Sequence, residues 1–136
     1  MKNKKVEIII DDVRIVAELY VDKAPRICKI ILNNLGQTIT IQHINLEGKM
    51  FFGRLILAYP CVFENKCRGE DLEVGDLAYF NPGNQLCFLY GGEIAGALPF
   101  SRIGRIVEGL DGMIVIGIKN WLSQGSIMTI TREIRG

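Results

Sequence analysis

The sequence is poor in the residues that most often announce chemistry. Its 136 residues include one histidine, His43, and one tryptophan, Trp121. A single imidazole excludes any multi-histidine metal site and leaves at most one Ser-His or Cys-His pairing. Four cysteines are present, Cys28, Cys61, Cys67 and Cys87, with no Cys-x-x-Cys pair among them. Standing singly in apolar or mixed runs, they read as small buried hydrophobes rather than as a zinc or redox centre. An excess of either charge is missing too: sixteen Lys plus Arg face fifteen Asp plus Glu, for a formal charge of +1. No net field argues for nucleic acid or an anionic membrane surface. The charge-free stretch Leu77–Gly92 holds Asn81, Pro82, Gly83, Asn84 and Gln85, and so does not pass as a membrane span of about 20 apolar residues. Near the N-terminus the apolar run after Lys5 ends at Asp11-Asp12, too soon for a secretory signal. These absences predict a cytoplasmic protein with neither nucleic acid nor membrane as partner.

What the chain does have is apolar mass: 49% of its residues are hydrophobic, enough for one core over a single domain, residues 1–136. Val6–Ile10 and Val13–Tyr20 are β-branched runs separated by Asp11-Asp12, the pattern of a hairpin. Asp22-Lys-Ala-Pro25 then introduces a helix, with Asp22 placed to help cap it, Ile27, Ile30, Ile31 and Leu35 as its buried stripe, and Gly36 as its stop. Further strands are expected at Thr38–Leu46, Lys49–Leu57, Asp76–Phe80, Gln85–Tyr90, Ile103–Val107 and Ser126–Glu133, punctuated by Gly and Pro turns. Many short strands with few helices suggest a barrel or sandwich. Gly109–Leu122 is ambiguous. Met113–Ile118 favours a strand by propensity, whereas Leu110, Ile114, Ile118 and Leu122 recur at steps of four, as on one helix face.

The chemically suggestive residues have plain readings. In Thr38–Leu46, Ile39, Ile41, His43 and Asn45 alternate with Thr40, Gln42, Ile44 and Leu46, and His43 reads as a strand-surface histidine. Trp121 reads as a packing anchor after an apolar helix. Gly91-Gly-Glu-Ile-Ala-Gly96 lacks the spacing and the Lys-Ser/Thr of a phosphate loop. Glu64, Glu70, Asp71 and Glu73 are interleaved with Lys66 and Arg68, as in a solvated connection. No cofactor and no metal are implied.

Three stretches in chain order resemble the cyclophilins. Arg14-Ile-Val-Ala-Glu-Leu-Tyr20 followed by Asp22-Lys-Ala-Pro25 is similar to the strand and helix that open that family. Phe100-Ser-Arg-Ile-Gly-Arg-Ile-Val-Glu-Gly-Leu-Asp111 resembles the late strand written Phe-Gly-x-Val-Val-Glu-Gly-Met-Asp. Between them, Gly75–Gly91 occupies the place of the central hairpin and is still more similar to small bacterial and archaeal cyclophilin-like proteins of unknown function. The resemblance covers about residues 5–134. It implies a mainly β fold, a closed eight-stranded antiparallel barrel with two capping helices, and it places a helix at Gly109–Leu122.

Cyclophilins are peptidyl-prolyl isomerases, which lower a barrier of about 18–20 kcal/mol set by amide resonance. They do so with an Arg that donates to the prolyl nitrogen and an apolar pocket that holds the ring. Here Phe51-Phe52-Gly53-Arg54-Leu55 stands in the place of the Phe-His-Arg segment, with Arg54 at the Arg position and Gly53 replacing His. Gln85-Leu-Cys-Phe88 is roughly similar to the Gln-containing strand. The Phe-Met-x-Gln-Gly-Gly segment has no counterpart after Arg54, and Gly92–Phe100 contains neither Trp nor His. Isomerase activity is therefore expected to be weak or absent, with Arg54 the sole catalytic candidate; its plainer reading is a solvated strand arginine. Phe52, Tyr79, Phe88 and Phe100 read first as core. As members of a cleft they would be joined by Arg54 and by Asn81, Gln85 and Tyr90 as polar groups at its edge. Three functions follow: a noncatalytic barrel binding a small molecule or peptide, a divergent isomerase, or a homo-oligomer-forming interaction protein without a ligand groove.

Overall fold

The Asp11-Asp12 step between two β-branched runs forms the hairpin it predicts. In the computed structural model, which describes residues 3–43, 49–55, 63–80, 83–91 and 99–135, strands β1 (Lys4–Ile10) and β2 (Val13–Leu19) pair from Lys4 opposite Leu19 to Ile10 opposite Val13. Asp11 adopts φ 54°, the left-handed conformation that tight hairpin turns require and that aspartate tolerates.

From this hairpin the sheet grows into a ring. β1 pairs with β9 (Ile127–Ile134), β9 with β3 (Thr38–His43), and β3 with β4 (Met50–Arg54). β4 continues to β7 (Gln85–Leu89), β7 to β6 (Asp76–Phe80), and β6 to β8 (Pro99–Glu108). β8 returns to β2 through Gly104–Glu108 and closes the ring. Every pairing is antiparallel, so the protein is the closed eight-stranded barrel that the resemblance implies, and closure removes the exposed strand edges. One short strand is added to the expected set. β5 (Lys66–Arg68) pairs with Pro99–Ser101, the part of the β8 edge that β2 leaves open. Its three residues carry too little pattern to announce a strand.

Alternation sorts the strand side chains onto two faces. Ile8, Ile10, Ile41, Phe51, Leu77, Leu86 and Phe88 fill the interior, where the rings of Phe51 and Phe88 stack with centroids 4.8 Å apart. Such a pair adds about 0.5–1.5 kcal/mol beyond its buried area. On the outer face Met50, Phe52, Ala78, Cys87, Leu89 and Phe100 form a second apolar cluster with Leu72. β4, β6 and β7 are thus buried on both faces, which is why Met50–Phe52 and Leu86–Leu89 read as continuous apolar runs.

α1 (Pro25–Asn33) has Pro25 in its first turn and sends Ile27, Cys28, Ile30 and Ile31 into the core. Its N-cap residue is Ala24, without a side-chain cap, and the Ile27 N–H donates to Glu64 Oε1 at 2.8 Å. Glu64, a residue read from sequence as merely solvated, thus satisfies one free N–H of the helix's first turn. Gly109–Leu122 resolves as α2 (Leu110–Leu122), but its buried stripe is displaced from the step-of-four set. Met113, Ile116, Gly117 and Asn120 face inward, while Ile118 is half exposed and Leu122 is 78% exposed. Residues spaced by four drift about 40° per step on a helix of 3.6 residues per turn, so the set spirals off one face.

α2 packs across β2, β3 and β4 at the end of the barrel where β8 stops and β9 starts. A polar lock fastens it. Asp11 Oδ2 accepts from Lys119 Nζ at 2.6 Å and Ser126 Oγ at 2.8 Å, and Oδ1 accepts from the Ile127 N–H at 3.1 Å. Buried Asn120 donates to Ile116 O and Ser126 Oγ and accepts from the Gly125 and Ser126 N–H groups. No helix among the described residues is long and apolar enough to cross a membrane.

Candidate functional site

The residues nominated from sequence separate onto three parts of the barrel. The β4–β7 register sets Arg54 opposite Gln85 and Phe52 opposite Cys87. Arg54 is exposed, its guanidinium lies 5.9 Å from the centroid of the Phe52 ring, and its Nη1 donates to Gly83 O at 3.4 Å. Phe52 and Phe100 are buried in the outer cluster, and Phe80 lies against Phe100 with centroids 5.2 Å apart. Phe52, Arg54, Gln85 and Phe100 therefore belong to the outer side of the barrel. Tyr79 and Phe88 point the other way, into the core; the Tyr79 hydroxyl donates to Asn84 Oδ1 at 3.0 Å. Asn81 lies outside the described residues.

Tyr90 belongs to a third place, a cavity of about 480 Å³ at the α2 end. His43 at the end of β3, Lys49 just before β4, and Tyr90 and Gly91 just after β7 converge there under Ile114, Ile118 and Trp121 of α2. Backbone bonds hold the strand ends together, since the N–H groups of Tyr90 and Gly91 both donate to Lys49 O, at 3.0 and 3.2 Å. Two glycines make the side chains fit. A Cβ on Gly117 would stand 2.3 Å from Tyr90 Cδ1, so only glycine lets the phenol ring lie against the helix. A Cβ on Gly91 would stand 2.4 Å from Lys49 Cδ, so the lysine stem lies across that glycine.

Inside the cavity, His43 Nε2 and the Tyr90 hydroxyl are 2.5 Å apart, and the His43 N–H donates to Gln124 Oε1 at 3.1 Å. The His43 ring meets Tyr90 and Trp121 edge to face, with centroids 5.5 and 5.1 Å apart. Burial raises the Tyr90 phenol above its ordinary pKa, so near neutral pH it stays protonated and keeps its donor. His43 is buried, which corrects the strand-surface reading. It shares the inward face with Ile39 and Ile41, but Ile44 and Leu46 made both faces of Thr38–Leu46 equally apolar by sequence. Trp121 is 59% exposed at the cavity rim rather than a packing anchor.

The remaining candidates stay structural. Burial pushes the Cys28 thiol up to about 12 and also raises Cys67 and Cys87, leaving these thiols protonated and poorly nucleophilic; Cys61 lies outside the described residues. Among the described residues no group of His, Cys, Asp and Glu is placed to hold a metal ion. Within the acidic segment, Arg68 pairs with Glu70 at 2.9 Å and Asp71 at 3.7 Å, all exposed.

Comparison with known proteins bears on the fold. A family model described as the cyclophilin-like family matches residues 8–123. The structure of McbB in complex with tryptophan superposes with a TM-score of 0.81 at 17% identity, over 96% of this chain and 45% of McbB. This chain thus spans about half the length of that protein. The solution structure of the hypothetical protein AF2241 from Archaeoglobus fulgidus gives a TM-score of 0.68 at 23% identity, covering 96% of this chain and 95% of that one. No curated protein matches.

Proposed function

Since the chain belongs to the cyclophilin-like family, we propose that it is a barrel that binds a small molecule without transforming it, and that the ligand enters the cavity between the strand ends and α2. The observation that carries this reading is the pairing of His43 with Tyr90 inside a recess that Ile114, Ile118 and Trp121 wall with apolar surface and that Lys49 also lines. Ligand sites combine apolar walls with a few placed polar groups, in cavities of roughly 300–1,000 Å³, and this one has that composition. The complex of McbB with tryptophan lends support, as a similar barrel seen with a small molecule.

Trp121 is the sole tryptophan of the chain and reports on the cavity directly. A small-molecule library is screened by ligand-induced change in its emission, and hits are mapped by amide and indole NMR shifts. The reading expects hits that move His43, Tyr90 and Trp121 together; hits that move only Phe52, Arg54 and Gln85 would overturn it.

A second reading is a divergent prolyl isomerase, favoured by Arg54 standing exposed over Phe52 and opposite Gln85. A protease-coupled prolyl-peptide assay separates the two. Acceleration abolished by Arg54→Ala supports the isomerase, and no acceleration supports the binding barrel.

A further inference from the structure

The cavity's lining is asymmetric in charge. His43, Tyr90 and Trp121 supply three rings, Ile114 and Ile118 supply aliphatic surface, and Lys49 supplies an ammonium at the rim. Among the described residues no carboxylate lines it. Lys49 is exposed and enters no ion pair among the described residues. Its stem lies across Gly91, where a Cβ would stand 2.4 Å from Lys49 Cδ, and the residue lines the cavity.

Resting on the binding reading above, we infer that the ligand class is an aromatic carboxylate: one or two fused rings lying in the recess against the Trp121, His43 and Tyr90 rings, with the carboxylate meeting Lys49. Rings suit this site because flat aromatic walls attract other rings edge to face or offset, and the isoleucines of α2 offer apolar contact to the rest of the ligand. An anion suits it because a carboxylate there gains a charge-assisted hydrogen bond from Lys49 and meets no like charge among the described lining residues. The same lining disfavours an amino group. An ammonium on the ligand would be brought toward Lys49 with no carboxylate among the described lining residues to pair it, so a zwitterionic aromatic amino acid binds less tightly than the corresponding aromatic acid lacking the amine.

The test titrates the full chain with indole-3-acetate, the neutral indole-3-ethanol, the cationic tryptamine and the zwitterion tryptophan. Calorimetry gives affinities and NMR of the amides and the Trp121 indole gives location. The expected order is acetate, then ethanol, then tryptophan, then tryptamine, with the acid about tenfold tighter than the alcohol. Lys49→Gln should bring the acid down to about the affinity of the alcohol, and added salt should narrow the gap in the wild type. Lys49 is exposed, so the variant is expected to fold, and its thermal midpoint checks that. Cavity shifts with equal affinity for acid and alcohol, or tighter binding of tryptamine, would overturn the aromatic-acid inference while leaving the binding reading in place. No shift at His43, Tyr90 or Trp121 with any of the four would overturn the aromatic-acid inference, and the library screen above decides the binding reading separately.

Discussion

The outer cluster around Phe52 and the cavity around Tyr90 are built from the same two strands and the residues flanking them, yet they differ in kind. On the outer face, Phe52, Cys87, Leu89 and Phe100 pack into a buried apolar layer, and the cation Arg54 lies exposed beside the Phe52 ring. At the α2 end, Tyr90 and Lys49 come with His43 to a recess that keeps about 480 Å³ open. The residues that match the isomerase motif therefore sit on a packed surface, and the open chemistry lies where the motif is silent. At the recess, glycines let an aromatic ring and a lysine stem approach backbone.

The contrast can be broken first by removing packing. Phe52→Ala, on the outer layer, and Phe88→Ala, in the interior, are each expected to cost about 3–5 kcal/mol in urea unfolding. If Phe52→Ala proved nearly neutral, the outer face would be a loose groove rather than a packed layer. Gly117→Ala comes next. Its new Cβ must displace the Tyr90 ring, at an expected cost of about 1–3 kcal/mol, which outweighs the gain of up to about 1 kcal/mol from better helix propensity. A stabilised variant would show that Tyr90 does not need that glycine. Tyr90→Phe removes the hydroxyl that meets His43 and should cost about 1 kcal/mol, with the change in NMR shifts confined to the α2 end. Trp121→Ala and Arg54→Ala, both exposed, should each stay within about 0.5 kcal/mol. They should differ in binding, which the first abolishes and the second leaves intact.

Acid sharpens the comparison with a smaller effect. Asp11 is held below the usual carboxylate range by Lys119 first, and then by Ile127 and Ser126; Glu7 is held at about 2 by Arg14 first, and then by Thr131 and Arg132. Both folded-state values lie below the unfolded ones. Their stabilisation is thus complete above about pH 4.5, the ordinary value of Glu7, and is lost as pH falls toward the depressed values. Because Asp11 locks α2 to the start of β9, amide exchange at Asn120, Ser126 and Ile127 is expected to accelerate in that window before exchange at Phe88 and Phe100. Simultaneous acceleration would mean that the α2 end is no weaker than the outer layer.

Local signals were legible in the sequence wherever a face was unambiguous. The Asp11-Asp12 turn follows from two β-branched runs, Asp76–Phe80 and the start of β7 at Gln85 follow from short apolar and aromatic runs bounded by turn residues, and the barrel followed from family motifs. What could not be read was long-range. His43, Lys49, Tyr90 and Trp121 meet only through barrel closure, and neither Glu64 capping α1 nor the Asp11–Lys119 lock has a local signature. α2 was placed by resemblance, and its buried face then had to be read from Gly117 and Asn120, two residues that a hydrophobic stripe does not count. The nominated residues mixed both sides of the sheet because Phe52 and Phe88 look alike in sequence and differ only in strand parity.

The central claim is that the cavity under α2, and not the face beneath Arg54, receives the ligand. Titrating isotope-labelled protein with indole-3-acetate tests it most directly. The account predicts saturable shifts of the Trp121 indole, Tyr90 and His43 with Phe52, Arg54 and Gln85 unmoved; saturable shifts at those three with the Trp121 indole unmoved would contradict it.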